Sequence, residues 1–345
     1  MTKWYIDKGP DSDVVLSCRV RLARNFAEYP YPHRSMPETR RRVMDRTVEA
    51  VMHGNGGMSQ QFRFIDFTKL PAVERQVLVE KHLVSKELAG SKIECGAIIS
   101  ASENISIMLN EEDHLRIQVL GAGMQLDNLW TLADKLDNLL SETIDFAYDP
   151  KFGYLTCCPT NIGTAVRASA MLHLPALVMT GTIKGILESV TKLGVAVRGM
   201  FGENTEATGN IFQISNQVTL GRTENDIITG VRSLANQIVE QERNLRQELL
   251  KQNGIRLEDR ISRAYGVLRT ARIISAEETL QKLSDVRLGV NLGLLPGLDE
   301  TKLNTLMLDI QPGNIQQKAG RALRPDDRDT TRADLVRESM KVQGL

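Results

Sequence analysis

Residues 157–169 combine a thiol, a turn and an arginine, Arg167, at fixed offsets that few enzyme families use. Arg19 and Arg21 lie two residues apart in a predicted strand, so their side chains share one face. Arginine suits phosphate binding because its planar guanidinium stays charged and donates two hydrogen bonds. These residues indicate an anion site built from arginines, although strand arginines taken alone are more often simply solvated.

Other common devices for binding a nucleotide are missing from the sequence. There is no G-x-x-x-x-G-K-[ST] motif, no H-R-D catalytic loop and no D-F-G motif. Their absence argues against a P-loop enzyme and against a protein kinase of the eukaryotic type. Phosphoryl transfer by this chain would instead depend on arginines, because charge in the transition state spreads over three equatorial oxygens.

The composition indicates a globular protein without bulk affinity for nucleic acid or membrane. The chain has 345 residues, and its 43 Lys+Arg balance its 43 Asp+Glu. No apolar run is long enough to span a bilayer, and the N-terminal residues are too polar for a secretory signal. The four cysteines lack C-x-x-C spacing, and His33, His53 and His173 offer no metal-site spacing. We therefore expect a cytoplasmic protein with free thiols and no metal held by the protein itself.

Short β-rich runs alternate with helical patterns in the first part of the chain. Several predicted strands follow one another without room for a crossover helix, which favours antiparallel pairing. We predict strands at 15–22, 62–67, 96–100, 105–109, 115–120, 195–200 and 211–215. Helices are predicted at 37–53, 71–88, 124–146 and 182–193. The predicted fold class is α+β, an antiparallel sheet flanked by helices.

From about residue 223 onward the pattern becomes helical. The first of these helices is predicted to end at Asn253-Gly254, a pair typical of helix C-termini. Glycine and proline then separate several shorter helices. We predict a phosphotransferase domain at 1–250 and an all-α domain at 251–345.

Four segments resemble the guanidino kinases, the family of arginine and creatine kinases. They occur in the family's order and at nearly its spacing. The segments are S-C-R-V-R-L-A-R-N at 17–25, N-E-E-D-H-L-R at 110–116, C-C-P-T-N-I-G-T-A-V-R-A-S at 157–169 and R-G-M-F-G-E-N-T-E-A at 198–207. The resemblance covers about 14–245 and implies a kinase that uses ATP, with Mg²⁺ carried on the nucleotide phosphates.

The resemblance also implies which residues bind the nucleotide. Matching arginines of the family clamp the triphosphate, and here they are Arg19, Arg21, Arg116, Arg167 and Arg198. Further nucleotide-binding positions are His82, Ser169, Met171, Gly199 and Gly202. His82 would contact adenine, while a structural role is equally open for it and for His114. Gly199, Gly202 and Gly209 would allow their segment to close over the substrates.

The acceptor implied by the resemblance is a guanidinium, whose nitrogen is not nucleophilic until a proton is leaving. Two carboxylates can hold this cation, aim one nitrogen at the phosphorus and accept the proton. The resemblance places Glu112 and Glu203 in these roles. Glu111 and Asp113 flank the first and would ordinarily be solvated acids.

Cys158 stands nine residues before Arg167, as the reactive cysteine does in arginine kinases. By resemblance its thiolate would steer the guanidinium rather than attack it. A buried, inert thiol is the ordinary alternative for a lone cysteine, and we expect that state for Cys157.

Two departures distinguish the chain from the metabolic guanidino kinases. Arg19 lies too near the first residue for the helical domain that covers their small substrate, and the chain extends far beyond position 224. Both features are similar to bacterial protein-arginine kinases of the McsB type. R-D-T-T-R-A at 328–333 matches the phosphoarginine-binding motif of that group, which implies an allosteric site at Arg328, Asp329, Arg332 and Ala333. The alternative is an exposed charge pair on an amphipathic helix.

The sequence therefore predicts a kinase that transfers the γ-phosphoryl group of ATP to arginine side chains of proteins and marks them for regulated proteolysis. The resemblance further implies the CtsR repressor as a substrate, an McsA-type activator, the ClpC–ClpP protease downstream and a homodimer. Two alternatives are a phosphagen kinase acting on free arginine and an inactive phosphoarginine-binding module. The five arginines, both glutamates and Cys158 argue against the inactive module.

Overall fold

The N-terminal part of the chain is built on one antiparallel sheet. The computed structural model describes residues 3–52, 61–192, 194–199 and 208–341. Its strands are β1 (Val15–Arg24), β2 (Phe62–Asp66), β3 (Gly96–Ser100), β4 (Ile105–Leu109), β5 (Leu115–Ala122), β6 (Tyr148–Asp149), β7 (Gly153–Tyr154), β8 (Val166–His173), β9 (Val195–Gly199) and β10 (Ile211–Asn216). Eight strands form an antiparallel sheet in the order β2-β3-β4-β5-β1-β8-β10-β9, and β6 pairs with β7. The predicted fold class is confirmed.

Helices cover the sheet and make up the rest of the described chain after β10. They are α1 (Pro37–Met52), α2 (Ala72–Glu80), α3 (Lys86–Gly90), α4 (Leu126–Ser141), α5 (Pro175–Met179), α6 (Ile183–Lys192), α7 (Glu224–Thr270), α8 (Ala276–Asn291), α9 (Glu300–Asp309), α10 (Pro312–Ala319) and α11 (Pro325–Ser339). None of the described helices is both long and apolar enough to cross a membrane.

The alternation of side chains along the central strands separates an apolar face from a polar one. On β1, Val20 and Leu22 are fully buried and belong to the main hydrophobic core, which also contains Leu129 and Leu136 of α4. Arg19 and Arg21 occupy intervening positions and so point to the opposite face, whereas Arg24 lies on the apolar side and pairs with Asp137 of α4. The helical layer of α1, α4 and the first half of α7 thus leaves the polar face available for a site.

Two smaller cores border the polar face. Leu120 and Met108 pack with Trp4 and Leu83, which joins the N-terminal segment and the α2–α3 region to this side of the sheet. Met171 packs against a second cluster, formed mainly by α8, α9, α11 and the end of α7. The polar face therefore lies between the α2–α3 region and the C-terminal helices.

The structure differs from the sequence-based prediction at several elements, and β6, β7 and α5 are among those that were not predicted. β8, a central strand, is absent from the predicted strands, because residues such as Ala168 and Ala170 have low strand propensity. Residues 71–88 form two short helices rather than one, since the backbone at His82 is left-handed, with φ 57°. α7 continues past Asn253, where the backbone is locally non-helical. The predicted boundary at 250/251 thus falls inside α7, and the division into domains stays a prediction.

Candidate active site

The sheet register places all five predicted arginines on one face. Arg21 of β1 pairs directly with Gln118 of β5 and Arg167 of β8. Arg19 is two residues before Arg21, and Arg116 is two residues before Gln118. Because paired residues and residues two apart point to the same side of a sheet, these four arginines share the polar face.

Arg198 completes this arginine face from the edge strand β9. It pairs with Gln213 of β10, which in turn pairs with Met171 of β8. Gln213 Oε1 also accepts a hydrogen bond from Arg19 Nη2 at 3.1 Å. Ser169 pairs with Arg19 and is two residues before Met171, so these predicted nucleotide-binding residues lie on the same face.

The arginine face is electrostatically unfavourable without an anion. Burial, together with the smaller effects of the charges on Arg116, Arg167 and Arg198, lowers the pKa of Arg19 to about 10. The pKa of Arg21 is likewise lowered by burial and by its arginine neighbours. The Nε atoms of Arg19 and Arg21 are buried and have no hydrogen-bond partner. A polyanion would relieve the repulsion and provide acceptors for these donors.

His82 lies beside the arginine face, just beyond α2 rather than on the predicted helix. Its backbone carbonyl accepts a hydrogen bond from Gln118 Nε2 at 2.8 Å, and its ring centroid is 6.5 Å from that of Trp4. Burial lowers the pKa of His82 to about 3, with the charge of Arg19 as the second cause. The imidazole is therefore neutral at physiological pH.

The acidic loop between β4 and β5 meets the arginine face at Arg116. Arg116 Nη1 lies 2.7 Å from Glu111 Oε2, and Nη2 lies 3.0 Å from Glu112 Oε2. The Glu112 side chain is 40% exposed, whereas that of Glu111 is 4% exposed. Burial raises the pKa of Glu112, and Arg116 opposes the shift. Glu111 is therefore not the solvated acid expected from the sequence, and Glu112 is the more accessible of this pair.

Asp113 is also buried, which corrects the expectation of a solvated acid. Its Oδ1 accepts hydrogen bonds from Asn25 Nδ2 and from the backbone N–H of Cys157, both at 2.7 Å. Asp113 thus connects the end of β1 to the segment that carries the cysteines. Asp113 therefore fixes the position of the cysteine turn relative to Glu112.

His114 has a structural role in this arrangement. Its Nδ1 accepts from the N–H of Phe26 at 3.1 Å, and its Nε2 lies 3.0 Å from the carbonyl oxygen of Pro30. Burial lowers the pKa of His114 to about 4, so the ring is neutral and Nε2 donates to Pro30. These bonds fix the acidic loop against the residues that follow β1.

The two cysteines occupy different surroundings. Cys158 lies near Glu112 and slightly lowers the pKa of its carboxyl, and the Cys158 Sγ lies 3.0 Å from Thr160 Oγ1. Cys157 Sγ lies 3.4 Å from His33 Nδ1. Burial raises the pKa of the Cys157 thiol, and the nearby acids add to the shift. Cys157 is half-buried rather than buried as expected, and Cys158 is half-buried as well, near the predicted catalytic carboxylate.

Some of the predicted site residues cannot be placed beside Glu112. Glu203 and Gly202 lie outside the described residues. Gly199 ends β9, paired with Phe212. Gly209 has a φ of 67° and packs against α8, where an added Cβ would lie 3.0 Å from the carbonyl oxygen of Leu280.

The C-terminal motif lies on α11, and its members differ in exposure. Arg332 is only 1% exposed; its Nε donates to the carbonyl of Ile310 at 2.8 Å, and its Nη1 donates to that of Ile274 at 3.0 Å and to Asp329. Arg328 is half-buried. Ala333 is buried in the C-terminal core. Arg332 is therefore not part of an exposed charge pair, and the phosphoarginine site stays a prediction.

Sequence reasoning did not identify several polar residues of the site. Gln118 and Gln213 lie on the arginine face, and strand alternation relative to Arg116 would have indicated the first. Asn25 and Asp113 contact each other across 88 residues of sequence, for which no local pattern gives a signal. Among the described residues, no group of three or more His, Cys, Asp or Glu could hold a metal ion.

Comparison with known proteins identifies the family. The family described as ATP:guanido phosphotransferase, C-terminal catalytic domain, matches residues 42–245. The chain belongs to this family. The description Protein-arginine kinase McsB C-terminal domain matches residues 254–344. The predicted enzyme class, a kinase that phosphorylates a guanidino group, is confirmed.

Curated relatives and solved structures agree with this assignment. A protein-arginine kinase of Caldanaerobacter subterraneus subsp. tengcongensis is 49% identical over 94% of this chain and 96% of the relative. One from a Geobacillus species is 45% identical over 99% and 95%. A lombricine kinase shares the fold, with a TM-score of 0.60 and 23% identity over 68% of this chain and 67% of the other. The substrate-free duplicated taurocyamine kinase from Schistosoma mansoni has a TM-score of 0.60 and 26% identity over 77% of this chain and 41% of that longer chain.

Proposed function

We propose that this protein transfers the γ-phosphoryl group of ATP to the guanidinium of arginine side chains in other proteins. The observation that carries the proposal is that Arg116 belongs to the arginine face and also contacts the acidic loop. Its strand contributes to the arginine face, while its guanidinium pairs with Glu112, the carboxylate near Cys158. A phosphate-binding surface and an acceptor-binding pair thus meet at one residue.

The arginine face would hold the triphosphate and stabilise the transition state. Charge on the transferring group spreads over its equatorial oxygens, so fixed guanidinium donors around it lower the barrier. ATP carries Mg²⁺ on its phosphates with mostly water ligands. The neutral ring of His82 is placed to meet the adenine side of the nucleotide.

The acceptor guanidinium would bind to Glu112, with Glu203 as its partner by family resemblance. A nitrogen of the guanidinium forms the new N–P bond, the bond between the γ-phosphorus and the bridging oxygen of ADP breaks, and the nitrogen loses a proton to a carboxylate. The raised pKa of Glu112 makes it a better proton acceptor than an ordinary glutamate. Cys158, which lies near Glu112, would orient the cation.

Protein substrates are favoured over free arginine by the curated relatives, which are named protein-arginine kinases and match nearly the full chain. The C-terminal match to the McsB domain supports the same choice. We further propose a cytoplasmic location, dimerisation through the helices after β10, and a phosphoarginine site at Arg328, Asp329, Arg332 and Ala333. By resemblance, the CtsR repressor would be a substrate, an McsA-type protein the activator and ClpC–ClpP the protease that receives marked proteins.

One transfer assay tests the proposal against its alternatives. The enzyme is incubated with γ-labelled ATP and Mg²⁺, together with either an unrelated arginine-containing protein or free arginine. We expect acid-labile label on the protein, because the phosphoramidate N–P bond hydrolyses in acid. Label on free arginine alone would identify a phosphagen kinase. No label on either acceptor, with phosphoarginine still bound, would identify a binding module.

A further inference from the structure

A buried glutamate of α2 connects the sheet to the C-terminal helices. Glu80 is 5% exposed. Its Oε1 accepts from the backbone N–H of Gly313 at 2.7 Å, and its Oε2 accepts from the N–H and Nδ2 of Asn314 at 2.9 and 2.8 Å. These donors lie at the first turn of α10, where backbone N–H groups lack helical partners and a negative charge is favourable.

The same glutamate is two residues from His82. Glu80 is the last residue of α2, and the backbone turns immediately into the left-handed conformation of His82. The carbonyls of His82 and Leu83 both accept from Gln118 Nε2 at 2.8 Å. The His82 segment is thus held on one side by the arginine face and on the other by Glu80.

An open space lies beside these hydrogen bonds. A cavity of about 660 Å³ opens between the α2–α3 region and the start of α10, and Gln76, Glu80, Gln311 and Pro312 are among its lining residues. Interiors normally fix side chains by dense packing, and an open space lacks that restraint. Where the cavity separates the two regions, the Glu80 carboxylate is their direct polar connection.

We propose that Glu80 is a positioning residue through which the C-terminal helices hold His82 at the nucleotide-binding face. The inference rests on the proposed function, because it takes His82 as the residue that meets adenine. Glu80 touches neither substrate; it acts through α10 and the backbone of residues 80–83. The nucleotide site then depends on a helix more than 200 residues away in the sequence.

Two substitutions test the contact from its two sides. Glu80→Gln keeps the size of the side chain but places an NH₂ donor opposite the N–H donors of α10, which leaves buried groups unpartnered. Gly313→Ala leaves the glutamate intact, but the added Cβ would lie 2.9 Å from both of its carboxylate oxygens and so displace them. Glu74→Gln, an exposed position on the same helix, is the matched control.

The readout is the binding of ATP compared with inorganic triphosphate, measured by calorimetry on the full chain at fixed Mg²⁺. We expect Glu80→Gln and Gly313→Ala to weaken ATP binding roughly tenfold, equivalent to about 1.4 kcal/mol. Triphosphate binding should be unchanged, because the arginine face is intact. Glu74→Gln should bind both ligands like the unaltered protein.

Each other outcome overturns the proposal or the function on which it rests. Equal weakening of ATP and triphosphate would make Glu80 a general stabiliser of the site, and unchanged ATP binding would show that His82 does not depend on it. Unfolding of both variants under conditions where Glu74→Gln is folded would make the contact purely structural. Failure of the unaltered protein to bind ATP would instead reject the proposed function.

Discussion

Glu112 differs from its acidic neighbours in what remains available to a second molecule. Glu111 is committed to Arg116 and Asp113 to Asn25 and the cysteine turn, and both are buried. Glu112 also pairs with Arg116, but its side chain keeps 40% exposure. Glu111 and Asp113 therefore stabilise the loop. Of its three carboxylates, Glu112 is the one that an incoming guanidinium could bind without breaking those contacts.

Glu112→Gln should abolish most phosphoryl transfer and leave ATP binding nearly unchanged. The substitution removes a proton acceptor, for which a loss of about 10²–10⁴-fold is typical. Turnover on a protein substrate and ATP affinity are both measured, with the exposed Glu87→Gln as control. Turnover of Glu112→Gln within a few-fold of Glu87→Gln would exclude a carboxylate base at this position.

Cys158→Ala should lower turnover strongly, whereas Cys157→Ala should lower it only mildly. The reason is position: Cys158 lies near enough to Glu112 to affect the pKa of its carboxyl, while Cys157 faces His33. A thiol reagent provides a second measurement, because ATP plus substrate should slow inactivation at Cys158. Loss of activity accompanied by labelling of the buried Cys18 or Cys95 alone would contradict this assignment.

At the scale of elements, β8 brings like charges together. Arg167 on β8 lies directly opposite Arg21 on β1. Directly paired like charges weaken a sheet by an amount on the order of 0.2–1 kcal/mol. This pairing therefore slightly lowers the stability of the sheet without a ligand. A bound polyanion would remove the repulsion.

Arg21→Gln should weaken ATP binding without lowering the stability of the protein in the absence of a ligand. Without ligand, the free energy of unfolding should stay unchanged or rise by up to about 1 kcal/mol, because the like-charge pair is gone. The stabilisation by saturating ATP should shrink, since it follows ligand affinity. Urea unfolding with and without ATP measures both quantities, and Arg63→Gln on the exposed edge of β2 is the control. A full ATP effect in Arg21→Gln would remove this residue from the clamp.

Local pattern was sufficient for some elements and not for others. Strands β3 and β4 were predicted at their observed bounds, since their Ile-rich runs are typical of buried strands. β8 was not predicted, because its small residues have low intrinsic strand propensity. Packing at the centre of the sheet is what favours them there. Strand alternation predicted a shared face for Arg19 and Arg21, whereas Arg116, Arg167 and Arg198 were selected by the resemblance alone. The Asn25–Asp113 and Glu80–Gly313 contacts join distant parts of the chain, so no local signal predicts them.

For the whole molecule, three histidines make the fold sensitive to acid. Burial lowers the pKa of His82 to about 3, that of His114 to about 4 and that of His173 well below its usual value. The unfolded chain binds protons at these residues near pH 6.5, where the folded protein does not. Stability is therefore complete above that pH and is lost as the pH falls.

Between pH 7 and 5.5, the free energy of unfolding should decrease on acidification. The slope approaches about 1.4 kcal/mol per pH unit for each of these histidines once the pH is below 6.5. Urea unfolding across this range measures the slope. His114→Gln should remove the contribution of one histidine from it. A flat profile would show that the histidines are protonated in the folded protein.

Arg332→Ala should destabilise the protein much more than Arg328→Ala. Arg332 donates to two buried carbonyls, and leaving each without a partner costs roughly 1–3 kcal/mol. Arg328 is half-buried, so its loss should cost less than about 1 kcal/mol. Urea unfolding of both variants tests the difference. Arg328→Ala is therefore the suitable variant for asking whether phosphoarginine stimulates turnover, and Arg332→Ala is not.

The length of α7 restricts which insertions and deletions the chain can tolerate. Its 47 residues have a helical contour length of roughly 70 Å, with one kink at Asn253; Ile238 and Val239 pack on the sheet side, and Ile261 and Leu268 are buried among the C-terminal helices. Adding one residue between these two sets would turn the second by about 100° about the helix axis and expose it. The non-helical backbone at Asn253 is the position where a single added residue could be looped out. Length variation in this protein should therefore be confined to that position or to the loops between helices.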